Sequence, residues 1–198
     1  MSAGGPGSPE VVVLLDDAGR AVGTEPKATV HHTATPLHLA FSCYLFDRKG
    51  RLLLTQRALH KPTWPGAWTN SVCGHPAPGE PVEDAVRRRV RAEVGAVAED
   101  VRLLLPAFRY RAVMPNGVVE NEMCPVLVAT TSGALDPDPD EVADTAWVDW
   151  ATFRAEVLDR TRDVSPWCVE QVQQLPDRPL EAPARPASQL PPALRVGG

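Results

Sequence analysis

The sequence predicts an α+β or α/β sandwich, because strand-like apolar runs alternate with helical stretches and one helix, Pro81–Val94, is clearly amphipathic. Its 198 residues suit one domain with a full hydrophobic core. Taken in order, Val11–Leu15 is a strand run and Asp16-Asp17-Ala18-Gly19 the turn that follows. Lys27 to Leu37 is polar, with two prolines nearby, and reads as a loop. His38–Phe46 is a strand, and Asp47-Arg48-Lys49-Gly50 turns it into Arg51–Gln56, completing a hairpin. In the Pro81–Val94 helix, Val82, Ala85, Val86, Val90 and Val94 share one face. Pro81 sits at its first position, where a missing N–H does no harm, and Gly95 follows its end. Val101–Leu105 and Phe108–Met114 are strand-like, Pro115-Asn116-Gly117 is a hairpin turn, and Val118–Thr130 returns. Thr145–Val148 is a short strand and Thr152–Leu158 a short helix. Ser165 and Pro166, as N-cap and first residue, open a last helix.

The ends differ from this middle. Met1–Pro9 reads as a disordered leader, 10–176 as the folded domain, and 177–198 as a disordered tail. The tail carries proline every few residues, which forbids a helix or a central strand. Removal of everything after Arg178 is therefore expected to leave activity nearly unchanged. Composition is ordinary for a globular protein, 43% hydrophobic and 23% charged, with a formal net charge of -5. There is no basic excess to hold nucleic acid or an anionic membrane surface. No apolar run approaches the roughly 18 residues of a membrane span. The first ten residues lack the basic start and apolar core of a signal peptide, and the four cysteines include no CxxC pair. Reduced thiols and a cytoplasmic location are expected.

Gly74 to Ala96, GHPAPGEPVEDAVRRRVRAEVGA, resembles the Nudix box G-x5-E-x7-R-E-U-x-E-E-x-G-U, where U is apolar. Gly74, Glu80, Arg88, Val90, Glu93 and Gly95 fall on the pattern. Arg89 and Ala92 stand where the box has acids. Those acids hold the divalent metals that activate water in Nudix hydrolases, so hydrolysis is in doubt while the helix is retained. Taken alone, the segment reads equally well as an amphipathic helix with a charged wet face.

Three further segments carry the resemblance onward: WPGAWTNSVCGH at 64–75, Tyr110-Arg111 with VENEMCP at 119–125, and His31 with His38 and the strand after it. From about Val11 to Leu175 the chain resembles type I isopentenyl-diphosphate isomerases. That resemblance implies a Nudix-type mixed sheet flanked by helices, an α/β/α sandwich. Glu120 and Glu122 lie two apart on a strand, so their carboxylates share a side. The resemblance gathers His31, His38, His75, Glu120 and Glu122 into one site for a divalent metal, Mn²⁺, Zn²⁺ or Mg²⁺. It makes Cys73 and Glu122 the acid/base pair, with Tyr110 hydrogen-bonded to the Glu. It assigns Lys27, Arg57, Lys61 and Arg89 to a diphosphate, Glu93 to a bridging Mg²⁺, and Trp167 to a carbocation intermediate. His32 and His60 keep no role, Cys43, Cys124 and Cys168 are structural, Arg88 and Arg91 are helix-surface charges, and Trp64 and Trp68 are walls. The expected partner is a small-molecule diphosphate on a monomer. Two rivals stand beside this reading: a Nudix hydrolase, and a binding module without catalysis.

Overall fold

The computed structural model describes residues 10–195, so the expected leader, 1–9, lies outside the described residues. The chain forms β1 (Val11–Leu15), β2 (Ala21–Pro26), α1 (Lys27–Val30), β3 (His38–Leu39), β4 (Phe41–Asp47), β5 (Arg51–Arg57), β6 (Trp68–Thr69) and β7 (Val72–Gly74). It continues with α2 (Val82–Val94), β8 (Glu99–Leu105), β9 (Arg109–Val113), β10 (Val119–Met123), β11 (Val126–Thr131), β12 (Val142–Asp149), α3 (Trp150–Leu158) and α4 (Pro166–Gln174). Two sheets result. One has the order β2-β1-β3-β10-β9; the other runs β12-β5-β4-β11-β8, with β6 on β5 and β7 on β4.

The second sheet is the middle layer of an α/β/α sandwich. Successive side chains of a strand point to opposite faces. Phe41, Cys43 and Leu45 of β4 accordingly pack with Val82, Val86, Val90 and Val94 of α2. Tyr44 and Phe46 pack with Phe153 and Val157 of α3 and Trp167 and Val172 of α4. The α2 helix begins one residue later than expected: Pro81 precedes its first helical residue. It ends at Gly95 in the left-handed conformation (φ 67°), where a Cβ would stand 2.6 Å from Asp136.

Two continuous strands of the sequence reading are broken in the fold, at the same level. His38–Phe46 divides at Ala40 into β3 and β4, and Val118–Thr130 divides at Cys124-Pro125 into β10 and β11. β3 pairs with β10 in parallel in one sheet, and β4 with β11 in parallel in the other. The two strands therefore cross from sheet to sheet side by side, and Pro125 lacks the N–H that an unbroken ladder needs. The Ala40 N–H donates to the Met123 carbonyl and the Ser42 N–H to the Pro125 carbonyl, both at 3.0 Å, so the crossing stays hydrogen-bonded. Strands β2, β6 and β7 and the turn of helix at Lys27–Val30 were not foreseen; all are short or weakly patterned.

The tail corrects the sequence reading. Residues 177–195 are packed chain, with 3₁₀ turns at Ala187–Gln189 and Pro192–Leu194. Proline does exclude regular elements here, but an extended strap can still dock by side chains and carbonyls. Leu190 and Leu194 are 2% and 4% exposed and join the α2-side core. Arg102 donates to the carbonyls of Leu180 and Ala182, each at 2.7 Å. The Arg185 N–H donates to the Leu103 carbonyl at 2.8 Å and the Ala193 N–H to the Gly19 carbonyl at 3.0 Å. Each buried leucine stabilises the fold by about 1.5–3 kcal/mol. Truncation after Arg178 is thus expected to cost several kcal/mol, read as a lower denaturation midpoint. An unchanged midpoint would show that the strap contributes nothing. Among the described residues, no helix is long and apolar enough to cross a membrane.

Candidate active site

Strand register assembles the centre of the site. Glu122 of β10 is paired with His38 of β3 on one side and Tyr110 of β9 on the other. Residues directly opposite one another project to the same face, so one rung of three adjacent strands presents an imidazole, a carboxylate and a phenol together. His75 follows β7, which pairs with β4, and His31 ends α1. The His32 carbonyl, accepting from the Val119 N–H at 3.0 Å, ties the His31 segment to β10.

Three imidazoles converge on one carboxylate oxygen. The Nε2 atoms of His38 and His75 lie 3.3 Å from Glu122 Oε1, and that of His31 lies 4.0 Å away. His31, His38, His75 and Glu122 could together hold a metal ion, their ligand atoms falling within 4.8 Å of one another. The donor set fits. His38 Nδ1 lies 3.0 Å from the Pro36 carbonyl and donates to it, which in the neutral ring leaves the Nε2 lone pair turned toward Glu122. The Nε2 atoms of His31 and His38 are buried without a hydrogen-bond partner. Unpartnered imidazole nitrogens crowded against a carboxylate call for a cation between them, whether proton or metal. Burial acts to raise the Glu122 carboxyl, but the three histidines outweigh it and hold the group well below the carboxylate range. Burial drives His75 down to about 4, so it is neutral and ready to ligate near neutrality.

Glu120 does not join that four-residue cluster. It is tied to Glu122 through Tyr110, whose hydroxyl lies 2.9 Å from Glu120 Oε2 and 2.8 Å from Glu122 Oε2. One hydroxyl proton cannot serve two ionised acceptors, so a second proton or a metal must be shared across the trio. Burial and the neighbouring Glu122 charge raise the Glu120 carboxyl, while the histidines lower that of Glu122, so of the two Glu120 takes up a proton the more readily.

A cleft runs from this centre to a cationic mouth, and Cys73, Tyr110, Glu122 and Trp167 all line it. Cys73 pairs in register with Ser42, and its Sγ lies 3.4 Å from the Ser42 hydroxyl. Burial pushes its thiol up to about 12, so the resting form is S–H. Trp167 is 2% exposed, with its ring 5.6 Å from that of Tyr110 and 5.9 Å from that of Trp64, centre to centre.

Lys27, Arg57, Lys61 and Arg89 also line the cleft. Each has a protein partner at rest. Lys27 donates to Glu10 at 3.0 Å, Lys61 pairs with Glu141, and Arg57 donates to Thr63. Arg89 donates through Nε to Glu93 at 2.9 Å and through Nη2 lies 3.3 Å from Glu141. Burial raises the Glu93 carboxyl, partly offset by Arg89. Glu10 and Glu141 escaped the sequence reading because their charges are paired over long separations that no local pattern displays. Arg88 is more than a surface charge: it grips Glu80 through two hydrogen bonds and donates to the His75 carbonyl at 3.2 Å. The on-pattern Glu80 and Arg88 thereby fasten the His75 segment to α2. Gly74 is required where β7 meets α2, since a Cβ there would lie 2.8 Å from Arg89 Cγ.

Residues 36–168 match the NUDIX domain family. The chain is 57% identical over 190 residues to the isopentenyl-diphosphate Delta-isomerase of Saccharopolyspora erythraea, covering 94% of this chain and 98% of that one. It is 60% identical over 166 residues to the protein of the same name from Mycolicibacterium vanbaalenii, covering 84% and 91%. Among solved structures, the DR0079 protein of Deinococcus radiodurans aligns with a TM-score of 0.63 at 18% identity, over 83% of this chain and 98% of that chain. A MutT NUDIX hydrolase from Burkholderia pseudomallei aligns with a TM-score of 0.54 at 23% identity, over 71% and 98%. These structures share the fold; their level of identity says nothing about reaction.

Proposed function

The chain belongs to the isopentenyl-diphosphate Delta-isomerases of the NUDIX domain family, and we propose on that basis that it interconverts isopentenyl and dimethylallyl diphosphate by protonation and deprotonation, a step of isoprenoid biosynthesis. The observation that carries the reading is the pairing, within one cleft, of the Cys73 thiol with the Glu122–Tyr110 carboxylate–phenol pair. Binding alone needs no such pair.

In the forward direction Glu122 delivers a proton to the terminal methylene, leaving a tertiary cation at C3. Cys73, having first given its resting S–H proton to the Glu122–Glu120 carboxylate pair by way of solvent in the cleft, takes the proton from C2 as the thiolate. Glu120 and Tyr110 connect to Glu122 through the shared phenol, which gives a hydrogen-bonded route for a proton from the Glu120 carboxyl to Glu122. The reverse direction exchanges the roles, and the resting S–H of Cys73 is already its acid form. A carbocation needs a π face and no nearby water. The buried Trp167 ring provides the first, and the aromatic wall it forms with Tyr110 and Trp64 provides the second.

His31, His38, His75 and Glu122 would hold a divalent metal, with Glu120, two residues along the same strand, as a further carboxylate for it, and Glu93 would hold a Mg²⁺ that accompanies the diphosphate. Imidazole and carboxylate donors suit Zn²⁺ or Mn²⁺, with Mg²⁺ the weakest fit to imidazole. Bound metal would fix the orientation of Glu122 and neutralise charge on the diphosphate. Lys27, Arg57, Lys61 and Arg89 receive the diphosphate by exchanging their present partners for its oxygens, which frees Glu93. Purified protein incubated with isopentenyl diphosphate and Mg²⁺ should give dimethylallyl diphosphate, identified by NMR. Chelation should stop turnover and added divalent metal restore it. Release of phosphate without isomer would favour the hydrolase reading instead.

Arg89→Glu separates these readings further. The change restores one box acid but leaves Ala92 without a carboxylate, so no hydrolase is created. It removes a charge-assisted contact worth about 1.5–3 kcal/mol, which is roughly a 10- to 100-fold rise in KM. Inorganic phosphate appearing at a rate comparable to isomerisation would show that the altered box still hydrolyses.

A further inference from the structure

We propose that Asn70 is a positioning residue that fixes the Cys73 thiol and the Trp167 ring on one wall of the cleft. The inference rests on the roles given above to Cys73 and Trp167. Asn70 is fully buried and uses both ends of its amide. Its Nδ2 donates to the carbonyls of Cys43 and Val72, each at 3.1 Å. Those two acceptors settle which end of the amide is nitrogen, so Oδ1 faces the cleft wall. That one oxygen accepts from the Cys73 thiol at 3.3 Å, the Trp167 indole N–H at 3.1 Å and the Thr69 hydroxyl at 2.9 Å.

The contact belongs to a longer seam. The Trp68 carbonyl accepts from the Ser165 N–H at 2.8 Å, and the Thr69 hydroxyl lies 2.7 Å from the Ser165 hydroxyl. Three consecutive residues, 68–70, thus hold the chain at 165–167, where α4 begins. Ser165 occupies the N-cap position of α4, yet its hydroxyl makes no cap bond; it is turned to Thr69 instead. The group that takes a proton and the ring that faces the cation come from elements nearly a hundred residues apart. Asn70 is where one side chain touches both. Misplacement of reacting groups by about 1 Å costs roughly 10²-fold in rate.

The test uses the full chain with its metals. In Asn70→Ser, the Trp167 indole N–H resonance, assigned by its loss in Trp167→Phe, should move out of its hydrogen-bonded position. Turnover of isopentenyl diphosphate should fall roughly 10²-fold while KM stays unchanged, because the diphosphate contacts lie elsewhere. Retained kcat, or kcat and KM worsening together, would overturn the proposal. Should Asn70→Ser fail to fold, 3-benzothienylalanine at position 167 keeps the ring and deletes only its N–H. Loss of one hydrogen bond then predicts a fall in kcat of about ten-fold at unchanged KM, and an unchanged kcat overturns the proposal. A wild-type protein without turnover would defeat the functional reading. The indole resonance would still decide the clamp, and its failure to move in Asn70→Ser would refute it.

Discussion

Glu122→Gln is expected to lower isomerase turnover by at least about 10⁴-fold, the upper end of what a single general acid–base group contributes. Two effects act together. The amide cannot deliver or receive the proton at the terminal carbon. It also removes the one carboxylate oxygen on which His31, His38 and His75 converge at 3.3–4.0 Å. Metal content measured alongside turnover separates them. Turnover lost with metal retained places the effect on proton transfer, and loss of both shows the carboxylate to be an indispensable ligand. Turnover within ten-fold of wild type would remove Glu122 from the mechanism. The fold should survive, since Gln keeps the volume and the Tyr110 hydroxyl keeps Glu120 as an acceptor.

Cys73→Ala is the second large effect, expected at about 10²–10⁴-fold in kcat with substrate binding still measurable. Among the described residues the thiol hydrogen-bonds to Asn70 and Ser42, and Ser42 retains Gln171 as a donor at 2.9 Å. Removing one sulfur therefore leaves no ionised group unpaired. Near-normal turnover would mean that the thiol is a wall atom and that one group carries protons on both sides of the reaction.

The sandwich was legible because its layers obey simple periods. Alternation along β4 and the i, i+3, i+4 face of α2 are written into the residues themselves. The site was legible for a different reason: TNSVCGHP and VENEMCP are long and unusual enough to point to a family. What escaped depends on pairing at a distance. A run such as Val118–Thr130 looks like one strand, and only the partner strand, breaking at Ala40, shows that it divides between two sheets. The Lys61–Glu141 and Lys27–Glu10 pairs join residues 80 and 17 apart. The strap was misread because proline rules out ladders and helices without ruling out docking. Leu190 and Leu194, spaced amid the prolines, were the available signal that the chain returns to the core.

The central claim, two different groups handling two different protons, is tested most directly by running the forward reaction in D2O. The account predicts deuterium in a methyl group of dimethylallyl diphosphate from the first turnovers. The added proton comes from Glu122, which is replenished through Tyr110 and Glu120 by exchange with solvent. Cys73 collects the proton from C2, so no label should pass directly from C2 to C4. At longer times the reverse reaction should carry deuterium into both positions, and Cys73→Ala should abolish this exchange. A product formed without solvent deuterium would contradict the account. It would mean that a single base carries the same proton across one face of the substrate.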